Sequence, residues 1–269
     1  MKIAVAGAPG RMGRAVIERL SEHTDSHLCL TAAIHHADSV SLGSDAGEMI
    51  GKAKMEVPIV AELANTEFDC LIDFTTVVAT LANLDYCRAN NRMLVIGTTG
   101  FTRQQKDIIA DASGEIPIVM SPNMSIAVNL CFKLLAQAAA MLGEEADVEI
   151  METHHRNKLD SPSGTALRMG EVIAQTLGRE LQDCAVYSRE GINKTRQPGT
   201  IGFASVRAGD VVGEHSVLFA TQGERLEITH KASDRSIYAK GALRAARWLA
   251  EQKPGLYDMQ DVLALKKPN

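Results

Sequence analysis

Short apolar runs alternate with stretches of helical spacing through the first 120 residues of the chain. Lys2–Ala6, Leu28–Ile34, Cys70–Phe74, Met93–Gly97 and Ile116–Met120 read as strands. Between them, Arg11–Ser21 carries Met12, Ala15, Val16 and Leu20 toward one side, and Ala79–Asn90 and Arg103–Ala112 are also helix-like. Strands that are apolar throughout must be buried on both faces. The pattern therefore predicts a parallel sheet covered by helices, in the doubly wound α/β class.

The pattern changes near residues 121–128. A long helix over Ser125–Leu142 leads to a strand at Asp147–His154, a loop rich in turn formers at Arg156–Ser163, and a helix at Thr165–Leu177. Three strands then follow, Ile201–Arg207, Val211–Ala220 and Arg225–Lys231. Gly209-Asp210 and Gln222-Gly223 lie between them, which predicts consecutive antiparallel hairpins. Asp234 is placed to cap a final helix, Ser236–Glu251, which stops before Pro254. An α/β half followed by an α+β half predicts two domains.

Composition narrows the class without naming a function. Apolar residues at 45% and charged residues at 23% of the 269 positions exclude a disordered, collagenous or coiled-coil chain. A formal charge of −5 gives no electrostatic basis for a nucleic-acid or membrane partner. Aromatics at 4%, with Trp248 the single tryptophan, leave few platforms for stacking on bases. The cysteines, Cys29, Cys70, Cys87, Cys131 and Cys184, form no Cys-x-x-Cys pair and read as small buried hydrophobes in a reducing compartment. Met1-Lys2 runs straight into a strand, with no secretory signal. The apolar stretch Ser125–Gly143 is interrupted by Asn129, Lys133 and Gln137, which reads as a packed helix rather than a membrane span. The expected location is the cytoplasm.

Gly7-Ala8-Pro9-Gly10-Arg11-Met12-Gly13 joins the first strand to the first helix. It keeps the last two glycines of the dinucleotide fingerprint, with the first displaced by one position. Glycine lets the backbone approach a pyrophosphate, and the helix N-terminus faces its charge. A plain tight turn is the competing reading; the βαβ context favours the cradle. An acidic residue is expected at the end of the second strand, to hold the ribose of NAD. His35 and His36 stand there instead, which leans toward NADPH or use of both cofactors; Asp38 reaching the ribose is the alternative. Gly97-Thr98-Thr99-Gly100 and Ser121-Pro122-Asn123-Met124 follow the fourth and fifth strands, at the carboxyl ends where such sheets bind ligands.

The densest chemistry lies in Glu152-Thr153-His154-His155-Arg156-Asn157-Lys158-Leu159-Asp160-Ser161-Pro162-Ser163-Gly164-Thr165. Neighbouring residues on a strand face opposite ways, so His154 and His155 are poor co-ligands, and no metal is expected. No Gly-x-Ser-x-Gly elbow or nearby cysteine supplies a nucleophile. Two readings remain. One is an imidazole acid/base beside an anion pocket of Lys158, Ser163 and the Gly164 and Thr165 amides; the other is a solvated basic loop.

These segments resemble the dihydrodipicolinate reductases, the 4-hydroxy-tetrahydrodipicolinate reductases of lysine and diaminopimelate synthesis. Gly7-x-x-Gly10-Arg11-Met12-Gly13, Gly97-Thr98-Thr99-Gly100-Phe101 and Glu152-x-His154-His155-Arg156-x-Lys158-x-Asp160-x-Pro162-Ser163-Gly164-Thr165-Ala166 carry the resemblance. Tyr187-Ser188-Arg189-Glu190-Gly191 and Gly209-Asp210-Val211-Val212-Gly213-Glu214-His215 extend it along the chain. The resemblance implies a Rossmann domain of residues 1–125 and 234–269, and a mixed-sheet substrate and tetramerisation domain of 126–233. It implies contacts from Gly7, Ala8, Pro9, Gly10, Arg11, Met12, Gly97, Thr98, Thr99, Ser121, Pro122, Asn123 and Met124 to NADH or NADPH. His154 takes the place of the proton donor and Lys158 of a second one. His155, Lys158, Ser163, Gly164 and Thr165 take the places that hold a cyclic dicarboxylate. His35 and His36 depart from the acidic and basic pair of many relatives.

Overall fold

The computed structural model describes residues 1–22, 27–64, 66–192 and 195–266. In chain order the first half forms β1 (Lys2–Ala6), α1 (Arg11–Ser21), β2 (Cys29–Ile34), α2 (Ala46–Met49), β3 (Ile59–Val60), β4 (Cys70–Asp73), α3 (Val77–Ala89), β5 (Met93–Ile96), α4 (Arg103–Ala112) and β6 (Pro117–Met120). The second half forms α5 (Ile126–Leu142), β7 (Asp147–His154), α6 (Gly164–Thr176), α7 (Leu181–Cys184), β8 (Ala185–Val186), β9 (Ile201–Arg207), β10 (Gly213–Ala220) and β11 (Arg225–Ala232). The chain closes with α8 (Ser236–Leu249), β12 (Gly255–Tyr257) and α9 (Met259–Val262). Two compact units result: Met1–Ile126 with Arg235–Asn269, and Ala127–Asp234.

The first unit holds a seven-stranded sheet in the order β12-β6-β5-β4-β1-β2-β3, every pair parallel. The central strands are buried on both faces. Ile3, Val5, Ile72 and Val95 enter one core with α1 and α8, and Ala4, Leu71, Leu94 and Ile118 enter the other. Each buried Leu, Ile or Val contributes about 1.5–3 kcal/mol. Local chemistry starts the helices: Thr76 caps α3, and Thr102 and Gln105 close a capping box on α4.

The second unit holds the sheet β11-β10-β7-β9-β8. β10 pairs antiparallel with β11, as the Gln222-Gly223 hairpin requires, and also with β7. β9 and β10, expected to form a hairpin, are not neighbours. β7 lies between them, and β9 runs parallel to it. The reason is visible in the connection: Ala208 N–H donates to His154 O (2.9 Å) and Arg156 N–H to Gly209 O (3.2 Å), so Gly209-Asp210 passes over the end of β7. α5 buries Val128, Cys131, Phe132, Leu135 and Ala139 against this sheet's core. Its other side leaves Leu130, Leu134 and Met141 exposed, and by length and composition alone the helix is long and apolar enough to cross a membrane. The expected Asp234 cap is corrected as well, since Arg235 occupies the N-cap of α8 with no side-chain cap. The two- to four-residue elements β3, β8, β12, α2, α7 and α9 escape any periodicity.

Candidate active site

Residues of the first unit gather at the carboxyl ends of β1, β4, β5 and β6. Gly7 turns with φ of +73°, a left-handed value that disfavours a Cβ. The Gly7 and Ala8 amides both donate to the Ile34 carbonyl (3.0 and 3.1 Å), pinning the turn against the end of β2. A Cβ on Gly13 would lie 2.2 Å from the Gly7 carbonyl oxygen, so this glycine serves close packing. Gly10 caps α1 without any side-chain cap, so the first-turn amides of Arg11 and Met12 present the positive end of the helix. Donors at an uncapped helix end beside a cradle that a Cβ would fill suit the pyrophosphate of a dinucleotide. Pro9 is half-buried and Arg11 is exposed. His35 and His36 stand where β2 ends, ring centroids 4.1 Å apart, and burial together with His36 lowers the proton affinity of His35.

Asp73 organises the adjoining turns. It is fully buried at the end of β4 and accepts from the Thr75 amide (2.9 Å), the Thr75 hydroxyl (2.6 Å), the Asn83 side chain (2.8 Å) and the Thr98 hydroxyl (3.3 Å). Thr98 is thereby fixed, while Thr99 and Gly100 are exposed. A Cβ on Gly97 would lie 2.0 Å from the Phe74 ring, so only glycine fits that turn. Ser121 donates to the Asn123 carbonyl (2.9 Å), and Pro122 is exposed. The Met124 side chain belongs to the core, 1% exposed.

In the second unit the buried row of the sheet changes character along its length. Facing inward, β7 reads Val148, Ile150, Glu152, His154, and β10 reads Phe219, Val217, His215, Gly213. Apolar pairs at one end thus give way to ionisable residues at the other, with Glu152 opposite His215. Parallel pairing brings Arg207 of β9 beside His154. Arg207 grips Glu152 with both terminal guanidinium nitrogens (2.8 and 2.8 Å), and the carboxylate also contacts His154 Nδ1 at 2.5 Å and accepts from the Ser163 amide (3.3 Å). Burial works to raise the Glu152 carboxyl, but Arg207, Ser205 and His154 together hold it at about 2. Burial lowers His154, and Glu152 partly restores it. His215 is pushed down to about 3 by burial and by His154. Its Nε2 lies 2.9 Å from Ser163 Oγ.

Ser163 also caps α6, its Oγ accepting from the Ala166 amide (3.2 Å). Gly164 is exposed at the helix start with open space around its Cβ direction, and Thr165 follows it in the first turn. Lys158 Nζ donates to both Asp160 oxygens (2.7 and 2.8 Å). His155 has left the strand, and its buried Nδ1 has no partner among the described residues. His154, His155, Lys158, Ser163 and Gly164 therefore all lie in one stretch around the end of β7 and the start of α6. No cluster of three or more His, Cys, Asp or Glu side chains is arranged for a metal among the described residues.

Sequence reasoning gave no role to Asp73, Arg207 or His215, though His215 ends the Gly209–His215 motif, and it did not connect Glu152 to His154. Period two along β7 was the available signal for that pair, since residues 152 and 154 share a face. Arg207 and His215 come from other strands, so no local spacing reveals them.

A parallel sheet with a glycine turn suited to a dinucleotide, followed by a mixed sheet that carries a histidine–carboxylate cluster, is the architecture of a two-domain nicotinamide-dependent oxidoreductase. Residues 1–124 match the family described as dihydrodipicolinate reductase, N-terminus, and residues 127–263 that described as dihydrodipicolinate reductase, C-terminus. The chain belongs to the dihydrodipicolinate reductase family, and is an NAD(P)H-dependent reductase of diaminopimelate and lysine synthesis. Among solved structures it is similar to dipicolinate-bound dihydrodipicolinate reductase from Paenisporosarcina sp. TG-14, at 25% identity over 97% of this chain and 98% of that one, TM-score 0.76. Amine dehydrogenase from Mycobacterium smegmatis shares the fold at 10% identity, over 100% and 96% of the two chains, TM-score 0.61. So does myo-inositol dehydrogenase from Lactobacillus casei in complex with NAD(H) and myo-inositol, at 12% identity over 98% and 91%, TM-score 0.59.

Proposed function

We propose that the protein reduces 4-hydroxy-tetrahydrodipicolinate to tetrahydrodipicolinate, with loss of water. The observation that carries this reading is the grouping of His154, His155, Lys158, Ser163 and Gly164 around one end of β7, in a chain whose two halves both match the family. The similar reductase bound to dipicolinate supports a cyclic dicarboxylate as the ligand.

The chain's own residues divide the work. One substrate carboxylate is held at the start of α6 by Ser163 and the Gly164 and Thr165 amides, where the helix dipole favours negative charge. His155, with its unpartnered buried Nδ1, and Lys158 hold the other. Lys158 leaves Asp160 to do so, exchanging one carboxylate for another, and assists the departure of water. His154 donates the proton that meets the developing anion. The reduced nicotinamide, when bound, supplies the hydride. Gly7, Ala8, Pro9, Gly10, Arg11 and Met12 would hold its pyrophosphate, with Gly97–Thr99 and Ser121–Asn123 nearer the nicotinamide; Met124, buried in the core, supports that turn from below.

His35 and His36 in place of a carboxylate favour NADPH, or both cofactors, over NADH alone. Assembly as a homotetramer through the second sheet is supported by Met151 and Val206, both exposed on strands of that sheet, and the expected location is the cytoplasm. The test is spectrophotometric: oxidation of NADPH and of NADH is followed with enzymatically generated substrate. Turnover with NADPH at least equal to that with NADH is expected, and no oxidation of either sinks the assignment.

A further inference from the structure

We propose that Glu152, clamped by Arg207, is the positioning residue that fixes the tautomer of His154 and sets its proton affinity. This rests on the proton-donor reading of His154 given above. Glu152 is 2% exposed, and each of its oxygens is committed. Oε2 contacts His154 Nδ1 and Arg207 Nη1, while Oε1 accepts from Arg207 Nη2 (2.8 Å) and the Ser163 amide (3.3 Å). A bidentate pair between a buried carboxylate and a half-buried guanidinium stays ionised and keeps its geometry. Arg207 is fixed in turn by the carbonyls of Asp160 (2.6 Å) and Val206 (2.7 Å).

A permanent acceptor at Nδ1 has one chemical consequence. The Nδ1 proton stays in place through the working pH range, so Nε2 becomes the atom that gains and loses a proton. Nε2 lies 3.0 Å from where a Gly213 Cβ would stand, so the glycine keeps that edge of the ring open. The charged and titratable groups facing the ring come from four elements. Glu152 of β7 favours the imidazolium, while Arg207 of β9 and Lys158 of the following loop oppose it. His215 of β10 packs edge-on, ring centroids 5.1 Å apart. In the proton-transfer step the Nε2–H bond breaks as a bond from that hydrogen to the substrate anion forms. The electron pair stays on Nε2, leaving a neutral imidazole with its proton on Nδ1, and water restores the Nε2 proton before the next turnover.

Three variants and one spectroscopic measurement test this. Two-dimensional 1H–15N spectra of uniformly 15N-labelled wild-type protein, with H154Q to assign the ring, should show the Nδ1–H tautomer of neutral His154. In E152Q the Nε2–H form should become populated and the His154 titration should move down by at least about one pH unit. The alkaline limb of the kcat profile should move down with it, and kcat at neutral pH should fall about 10–100-fold, with KM for NADPH within twofold of wild type. R207Q should move the His154 titration in the opposite direction, because a cation that opposes the imidazolium has gone. A merely structural clamp would move both variants the same way. An unmoved tautomer and titration in E152Q, or shifts of one sign in both variants, overturns the proposal. Turnover at the wild-type rate in H154Q instead removes the proton-donor reading on which it rests.

Discussion

Each unit buries a carboxylate at the carboxyl end of a central strand, and the two carboxylates are served differently. Asp73 of β4 is surrounded by neutral donors, two threonine hydroxyls, an asparagine amide and a backbone N–H. Glu152 of β7 takes one backbone amide, that of Ser163, but its other partners are a guanidinium and an imidazole. Neutral donors hold a turn in place and carry no proton in or out. Charged partners add a titratable group whose proton affinity depends on the pair. The difference fits the two tasks proposed for the units, since a dinucleotide has only to be held, whereas a substrate that accepts hydride must also be given a proton.

Four outcomes would sharpen or break this contrast. The largest belongs to His154→Gln, expected to lower turnover about 10²–10⁴-fold while NADPH affinity by fluorescence titration stays at the wild-type value. Loss of NADPH binding in that variant would mean that the two tasks are not divided between the units.

Stability against pH comes next. His215 sits at about 3 when folded, against about 6.5 when exposed. The unfolded chain thus takes up this proton first as pH falls. The stability contribution is full above 6.5 and is lost toward pH 3, on the order of 5 kcal/mol. Glu152, at about 2 folded and near 4.5 in the open chain, adds a loss between pH 4.5 and 2 of the same sign. Urea unfolding across pH 7.5 to 3 should show the slope, and His215→Gln should flatten its upper part. A slope unchanged by that substitution would place the acid sensitivity elsewhere.

Gly13→Ala is expected to cost roughly 2 kcal/mol, because its Cβ meets two backbone oxygens. It should weaken NADPH at least about tenfold and leave dipicolinate affinity by calorimetry untouched. Equal losses for both ligands would show that the nucleotide turn and the anion site are one structure rather than two.

The smallest effect is that of Asp73→Asn, about 1–2 kcal/mol of stability from an acceptor replaced by a donor facing other donors. The pH profile of kcat should not move. Any shift there would give Asp73 the electrostatic role assigned to Glu152.

Much of the fold was legible in the chain because its long elements are strongly patterned. The strand at Lys2–Ala6 and the helix at Arg11–Ser21 coincide with their observed limits, and Asp147–His154 with β7. The hairpin expected at Gly209-Asp210 failed for a physical reason. Turn chemistry reports that the chain reverses, not which strand it pairs with afterwards, and β7 offered two open edges. Short edge elements such as β12 have too few residues for any period to register, and form because β6 exposes a free parallel edge.

What the sequence by itself determined was the family, and with it the segments proposed to carry the chemistry. The glycine turn, the histidine–lysine block and the serine–glycine helix start are local, and local spacing suffices to recognise them. Only tertiary structure decided how that chemistry is supported. Pairing β7 between β9 and β10 brings Arg207, more than fifty residues from Glu152, onto its carboxylate, and sets His215 against the His154 ring. The same burial that costs these charges their hydration is what makes their pairing strong. That environment exists only once the strands have assembled.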